Sequence, residues 1–178
     1  KVNKTDIINS LPADLSVITA NGTTKANYDG ALIYASDLEG KITKINLTGN
    51  FNLDSDNILT NVSSTTLFNA QSTSENGRYI YTRPEVTINN DNNLWLYFGT
   101  GNTQKLHEQS NKIKNRLYGI KDVDFPQYSN ISTPGDISKC KTSPTCPKSN
   151  DLGWYIDLQN YQKLTAEPTV DKDRVYFP

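Results

Sequence analysis

Residues 92–102 read NNLWLYFGTGN. Leu94, Trp95, Leu96, Tyr97 and Phe98 form an unbroken run of strand formers, and Gly99-Thr100-Gly101 follows at once as a turn. The next strand signal, RLYGIKD at 116–122, comes only after a polar stretch, KLHEQSNKIKN at 105–115, which has no apolar stripe and reads either as a solvated loop or as one marginal turn of helix. Strand, Gly turn, insertion and strand together describe a β-hairpin that has taken up a loop. An uninterrupted version lies upstream, where ALIYASD (31–37) and KITKINL (41–47) flank the tight turn Leu38-Glu39-Gly40. Alternation in 41–47 is imperfect, since Ile42 and Ile45 are three apart, and a short amphipathic helix is the alternative there.

The hairpins repeat. RPEVTINNDNNLWLYFGTG from Arg83 and EPTVDKDRVYFP from Glu167 share Pro84/Pro168, Val86/Val170, Tyr97/Tyr176 and Phe98/Phe177 in order. A third unit from Leu11, with a longer insertion, offers Pro12, Val17 and Tyr34 at the corresponding places. Further strands are expected at 77–88 (GRYIYTRPEVTI), 153–158 (GWYIDL) and from Arg174 (RVYF). Residues 51–70 read as polar and turn-rich, and 126–150 as loop. Successive antiparallel hairpins with Gly turns and enlarged connections predict an all-β chain, a modified β-propeller of several antiparallel blades with long inserted loops. With roughly 40 to 50 residues per blade, 178 residues hold two blades and parts of others, so residues 1–178 are read as a single portion of a larger propeller extending beyond both ends. An antiparallel sandwich is the alternative architecture.

Composition agrees with strands and turns. Mean hydropathy is −0.63, the hydrophobic fraction is 35%, and 10 Tyr accompany abundant Asn and Thr. A formal charge of −1 favours neither nucleic acid nor an anionic membrane. No run nears the roughly 20 apolar residues that span a bilayer. There is no signal peptide and no initiator Met, so the chain is read as a mature or excised portion of something longer. Cys140 and Cys146, in SKCKTSPTCPKSN, sit in a short loop (139–149) that a disulfide would close; free exposed thiols are the alternative. Half a zinc site would need two more ligands, and His107 is the sole histidine, read as a surface loop residue. Asp37, Asp122 and Asp157 lie at strand ends, where capping a turn is their ordinary role. Trp95 and Trp154 are read as packing anchors. An Asx-rich segment, FNLDSDNILTN at 51–61, reads as a solvated turn because no glycine bend or closing carboxylate completes a calcium loop.

The succession LIYASDLEGKITKINL, RPEV…LYFGTGN, NRLYGIKD, GWYIDLQN and LTAEPTV…VYF resembles the carboxy-terminal region of the PilC/PilY-type type IV pilus tip-associated adhesins, across roughly residues 11–177. The resemblance implies a modified β-propeller in a non-enzymatic, secreted protein at the pilus tip or bacterial outer surface. It further implies support of pilus biogenesis, control of retraction, and adhesion. Its partners would be pilus subunits or minor pilins and a host receptor or surface, without nucleic acid and without membrane insertion. Family members carry a calcium loop ahead of the first hairpin. Here the equivalent stretch, NGTTKANYDG, supplies only Asp29 with the amides of Asn21 and Asn27, and Lys25 adds a positive charge. That set is a poor calcium site, and no other cofactor is expected. Two other readings stand beside this one: a fragment of a quinoprotein-type propeller dehydrogenase, which would carry repeated Trp docking motifs, and a propeller scaffold for outer-membrane assembly.

Overall fold

A computed structural model of the chain describes residues 10–19, 30–47, 55, 62–108, 110–123, 125, 138–139, 151–172 and 174–178. Within them the architecture is all-β, with one short 3-10 helix at Thr103–Lys105. The strands are β1 (Ser16–Thr19), β2 (Ala31–Ser36), β3 (Lys41–Asn46), β4 (Ser63–Asn69), β5 (Glu85–Ile88), β6 (Leu94–Gly99), β7 (Arg116–Asp122), β8 (Ser138–Lys139), β9 (Gly153–Asp157), β10 (Thr169–Asp171) and β11 (Arg174–Tyr176). The first sheet is the antiparallel meander β1-β2-β3-β4; the second has the order β5-β6-β7-β9-β8; the third is the hairpin β10-β11. All pairings are antiparallel except β8 with β9, and none of the sheets closes into a barrel.

Each sheet begins in the same way. Ser16 pairs with Tyr34, Glu85 with Tyr97 and Thr169 with Tyr176. The next pairs are Val17 with Ile33, Val86 with Leu96, and Val170 with Val175. Val17, Val86 and Val170 therefore occupy one register position, as the repeat predicts. Pro12 does not share the place of Pro84 and Pro168: the residue immediately before β1 is Leu15. The opening strands also neighbour one another, β1 beside β5 and β5 beside β10.

The sheets stack through side chains that alternate along each strand. On β6, Leu94, Leu96 and Phe98 face the first sheet and join Leu32, Tyr34, Ile42 and Phe68 in the main core. Rings meet across this interface: Phe68 lies 5.7 Å from Phe98 and 5.1 Å from Tyr118. The intervening residues Trp95 and Tyr97 join Trp154 on the opposite face, packed with Val175 and Phe177 of the third hairpin. Both tryptophans are packing anchors, as their sequence context suggests. Trp154 needs the absence of a side chain opposite it: a Cβ on Gly119 would stand 2.5 Å from the indole. At the 25–30 cal/mol/Å² usual for apolar area, burying rings of this size makes these interfaces the main stabilising term.

Two expectations change, and the strand reading of 41–47 holds over its alternative. Residues 63–69, read as turn-rich, form β4; Ser and Thr there are acceptable strand residues because Leu67 and Phe68 bring burial to the segment. Residues 41–46 are strand and not helix, and their alternation was obscured because the inward position between Ile42 and Asn46 is filled by a lysine, Lys44, which is fully buried. The strand expected over 77–88 shrinks to β5, since Gly77 at φ +65° and Pro84 interrupt the ladder. No described helix is long and apolar enough to cross a membrane.

Candidate functional site

The turn between β2 and β3, the connection from β4 to β5, the loop from β6 to β7 and the connection from β9 to β10 meet at one end of the stacked sheets. Backbone hydrogen bonds fasten them together: Ala70 N–H to Gly40 O (2.8 Å), Gly101 N–H to Tyr79 O (2.9 Å), Lys114 N–H to Asn76 O (2.9 Å) and Leu164 N–H to Thr100 O (3.2 Å). The Gly-Thr-Gly turn lies at the centre of this junction. The Thr100 hydroxyl accepts from Arg116 N–H (2.9 Å) and donates to Asn115 Oδ1 (3.3 Å), and Asn115 Nδ2 donates to Gln162 O (3.0 Å). A Cβ on Gly101 would stand 2.6 Å from Lys163 Cβ, so the residue's smallness is what lets the neighbouring connection close over it.

Asn76 organises the β4–β5 connection. Its Oδ1 accepts from Thr73 N–H (2.9 Å) and Arg78 N–H (3.1 Å), and its Nδ2 donates to Gln71 O (2.8 Å). Gln71, at φ +54°, is held in the left-handed region by these contacts and by donating its N–H to Asn69 Oδ1 (2.8 Å). The result is a hydrogen-bonded rim around an open cleft of about 490 Å³. It is lined by Leu38, Glu39 and Lys41 of the β2–β3 turn, by residues of the β4–β5 connection that include Gln71, Tyr79 and Tyr81, and by Asn102 of the β6–β7 loop. A recess of about 150 Å³ adjoins it through Ser74, Tyr79 and Asn102, and reaches Lys105, Glu108 and Lys163.

The electrostatics of the cleft are nearly neutral. Lys41 pairs with Glu39, which raises the lysine's pKa. Lys163 Nζ donates to the carbonyls of Lys105 and Asn102 at the junction. Burial, and secondarily the neighbouring Tyr79, raise the pKa of the Tyr81 hydroxyl, which is a neutral donor across the physiological range. The Ser72 hydroxyl is buried and has no hydrogen-bond partner among the described residues.

A separate ionic network links the first two sheets. Lys44 Nζ lies 2.6 Å from Asp122 Oδ2, both side chains are 0% exposed, and the Tyr34 hydroxyl donates to the same oxygen at 2.7 Å. Burial first, then the Asp122 charge, push the Tyr34 hydroxyl far above its ordinary pKa. This corrects the reading of Asp122 as a turn cap: it is the buried counter-ion of a lysine on the facing sheet. Asp37 does play the turn role, accepting from Lys41 N–H (2.9 Å), and burial raises its pKa. Asp157 pairs with Arg116 Nε (2.7 Å), whose guanidinium stacks 4.1 Å from the Tyr155 ring centroid.

Asn21, Asn27 and Asp29, and the cysteines Cys140 and Cys146, lie outside the described residues. His107 is exposed in the β6–β7 loop. Among the described residues no group of three His, Cys, Asp or Glu is placed to hold a metal. The cleft residues were not singled out from sequence. Their signal was present in Tyr79-Ile80-Tyr81, where a fully buried Ile separates two partly exposed tyrosines on the opposite side. No family model, no characterised protein and no solved structure matches the chain.

Proposed function

We propose that the three sheets are successive blades of a β-propeller, and that the chain belongs to a non-enzymatic surface protein of the type IV pilus, acting in pilus biogenesis, retraction control and adhesion. The observation that carries the architecture is the adjacency of β1, β5 and β10, each the opening strand of its sheet and each paired to an equivalent tyrosine. Strands that line a common axis, with sheets stacked face to face around it, are the arrangement a propeller requires. The pilus role rests on the ordered motifs, and its mechanism is display: stacked blades hold the β6–β7 loop and the cleft at one end, where pilus subunits, minor pilins or a host surface can reach them. The two tryptophans lie on different strands of one sheet, β6 and β9, and so lack the blade-by-blade recurrence of quinoprotein docking motifs.

The architecture is tested by an experimental structure, in which a common axis beside β1, β5 and β10 is expected and a two-sheet sandwich would refute it. The pilus role is tested in a bacterium carrying the gene. Deletion should strip the surface of pili, and removing the retraction motor as well should bring them back; normal piliation in the deletion strain would sink this role.

A further inference from the structure

The cleft at the loop end has the chemistry of a sugar site, and we infer that it binds a short neutral oligosaccharide. At about 490 Å³ it falls within the roughly 300–1,000 Å³ of small-molecule clefts. Its lining decides among ligand classes. Glu39 and Lys41 neutralise one another, so the walls present no net charge with which to hold a phosphate or a nucleic acid. The amides of Asn69, Gln71 and Asn102 and the side chains of Thr73 and Ser74 are interspersed with Leu38 and the two tyrosines, a mixed lining that disfavours a lipid or an apolar cofactor. Donors and acceptors arrayed beside two tyrosines match a pyranose, whose hydroxyl rim needs many hydrogen bonds and whose C–H face packs on aromatic rings.

One feature shows that the site is built and not incidental. Gln71 is held at φ +54° by Asn69 and Asn76, a conformation that costs free energy and sets the direction of a side chain lining the cleft. Because Asn76 ties residues 71, 73 and 78 into one unit, little ordering remains to oppose binding.

The inference deepens the adhesive reading and rests on it for its biological setting, but the binding itself is measured on the purified full chain. The probe is an array of uncharged hexose and N-acetylhexosamine oligosaccharides, with sialylated and sulfated members alongside, followed by titration of the best neutral binder. Tyr81→Ala should weaken that binding roughly 10-fold or more through loss of the aromatic wall. Gln71→Gly guards against a folding artefact: glycine accepts positive φ, so the variant should be at least as thermostable as the parent while losing affinity by a similar factor. Val17→Ala, at an exposed position of β1 that lines neither the cleft nor its recess, should leave affinity unchanged. A folded parent that binds no neutral member, binding confined to the acidic members, or binding indifferent to both cleft variants would each overturn the inference. In the bacterium, Gln71→Gly should keep its pili and lose sugar-dependent attachment. A deletion strain with normal pili would instead sink the pilus role and leave the array result standing.

Discussion

Lys44→Met tests the apposition of the first two sheets most directly. The substitution keeps an unbranched side chain of similar length and removes the ammonium. It leaves the Asp122 carboxylate 0% exposed with the Tyr34 hydroxyl donating to it and its cation gone. Breaking a buried pair from one side costs about 3–5 kcal/mol, because the remaining charge has lost both water and its counter-ion. At about 2–4 °C per kcal/mol for a chain of this size, the Tm should fall by roughly 6–20 °C. Removing the whole network should behave differently. In Lys44→Met/Asp122→Leu the Tyr34 hydroxyl is left unpaired, at about 1–3 kcal/mol. Adding Tyr34→Phe removes that cost too, and replacing a buried pair by apolar groups is neutral or stabilising by about 1–4 kcal/mol. The assay is urea unfolding followed by fluorescence of Trp95 and Trp154, which lie on the other face of the second sheet and report its unfolding without touching the mutated site. A loss under about 1 kcal/mol for Lys44→Met would mean that the pair is not desolvated between two sheets. A triple variant as unstable as the single one would mean that shape, not charge compensation, holds this interface.

The remaining predictions concern other contacts. Gly119→Ala puts a methyl 2.5 Å from the Trp154 indole; overpacking should cost about 1–3 kcal/mol and change the near-ultraviolet circular dichroism of the aromatic cluster. Glu167→Ala breaks the Arg83–Glu167 bridge, whose side chains are 40% and 44% exposed, and should change stability by less than about 1 kcal/mol, with no effect left in high salt; a loss above that would mean the bridge is shielded from solvent. Tyr34 and Tyr118 both have raised folded-state pKa values, chiefly from burial. For such an acid the stability is complete below the unfolded value of 10.0 and is lost as pH rises through it toward the folded value. The urea midpoint should therefore fall above about pH 10, and tyrosinate absorbance from these rings should develop only as the chain unfolds; early, fully reversible ionisation of all tyrosines in the folded chain would contradict their burial.

Local chemistry made much of this protein readable. The β2–β3 hairpin announces itself through two short runs of strand formers around a Gly turn, and the shared Val and Tyr positions of the three opening hairpins follow from a period-two backbone and a recurring unit. The solvated β6–β7 loop was equally plain, because a segment without an apolar stripe has nothing to bury. Contacts between distant residues decided the rest. Lys44 looks like a solvent-facing strand residue until Asp122, 78 positions away, supplies its counter-ion from the facing sheet; local sequence contains no term for that pairing. β4 was hidden by the polar, Asx-rich run before it, although Thr65, Thr66 and Phe68 are ordinary strand residues; its ladder with β3 and the aromatic contacts of Phe68 fix it. The cleft is the extreme case. Glu39, Gln71, Tyr81 and Asn102 come from three separate connections, and each reads alone as an ordinary polar or aromatic loop residue. Only the stacking of one sheet on the next brings those connections to a common end, so the sequence encodes the pieces of the site while tertiary packing alone makes them one surface.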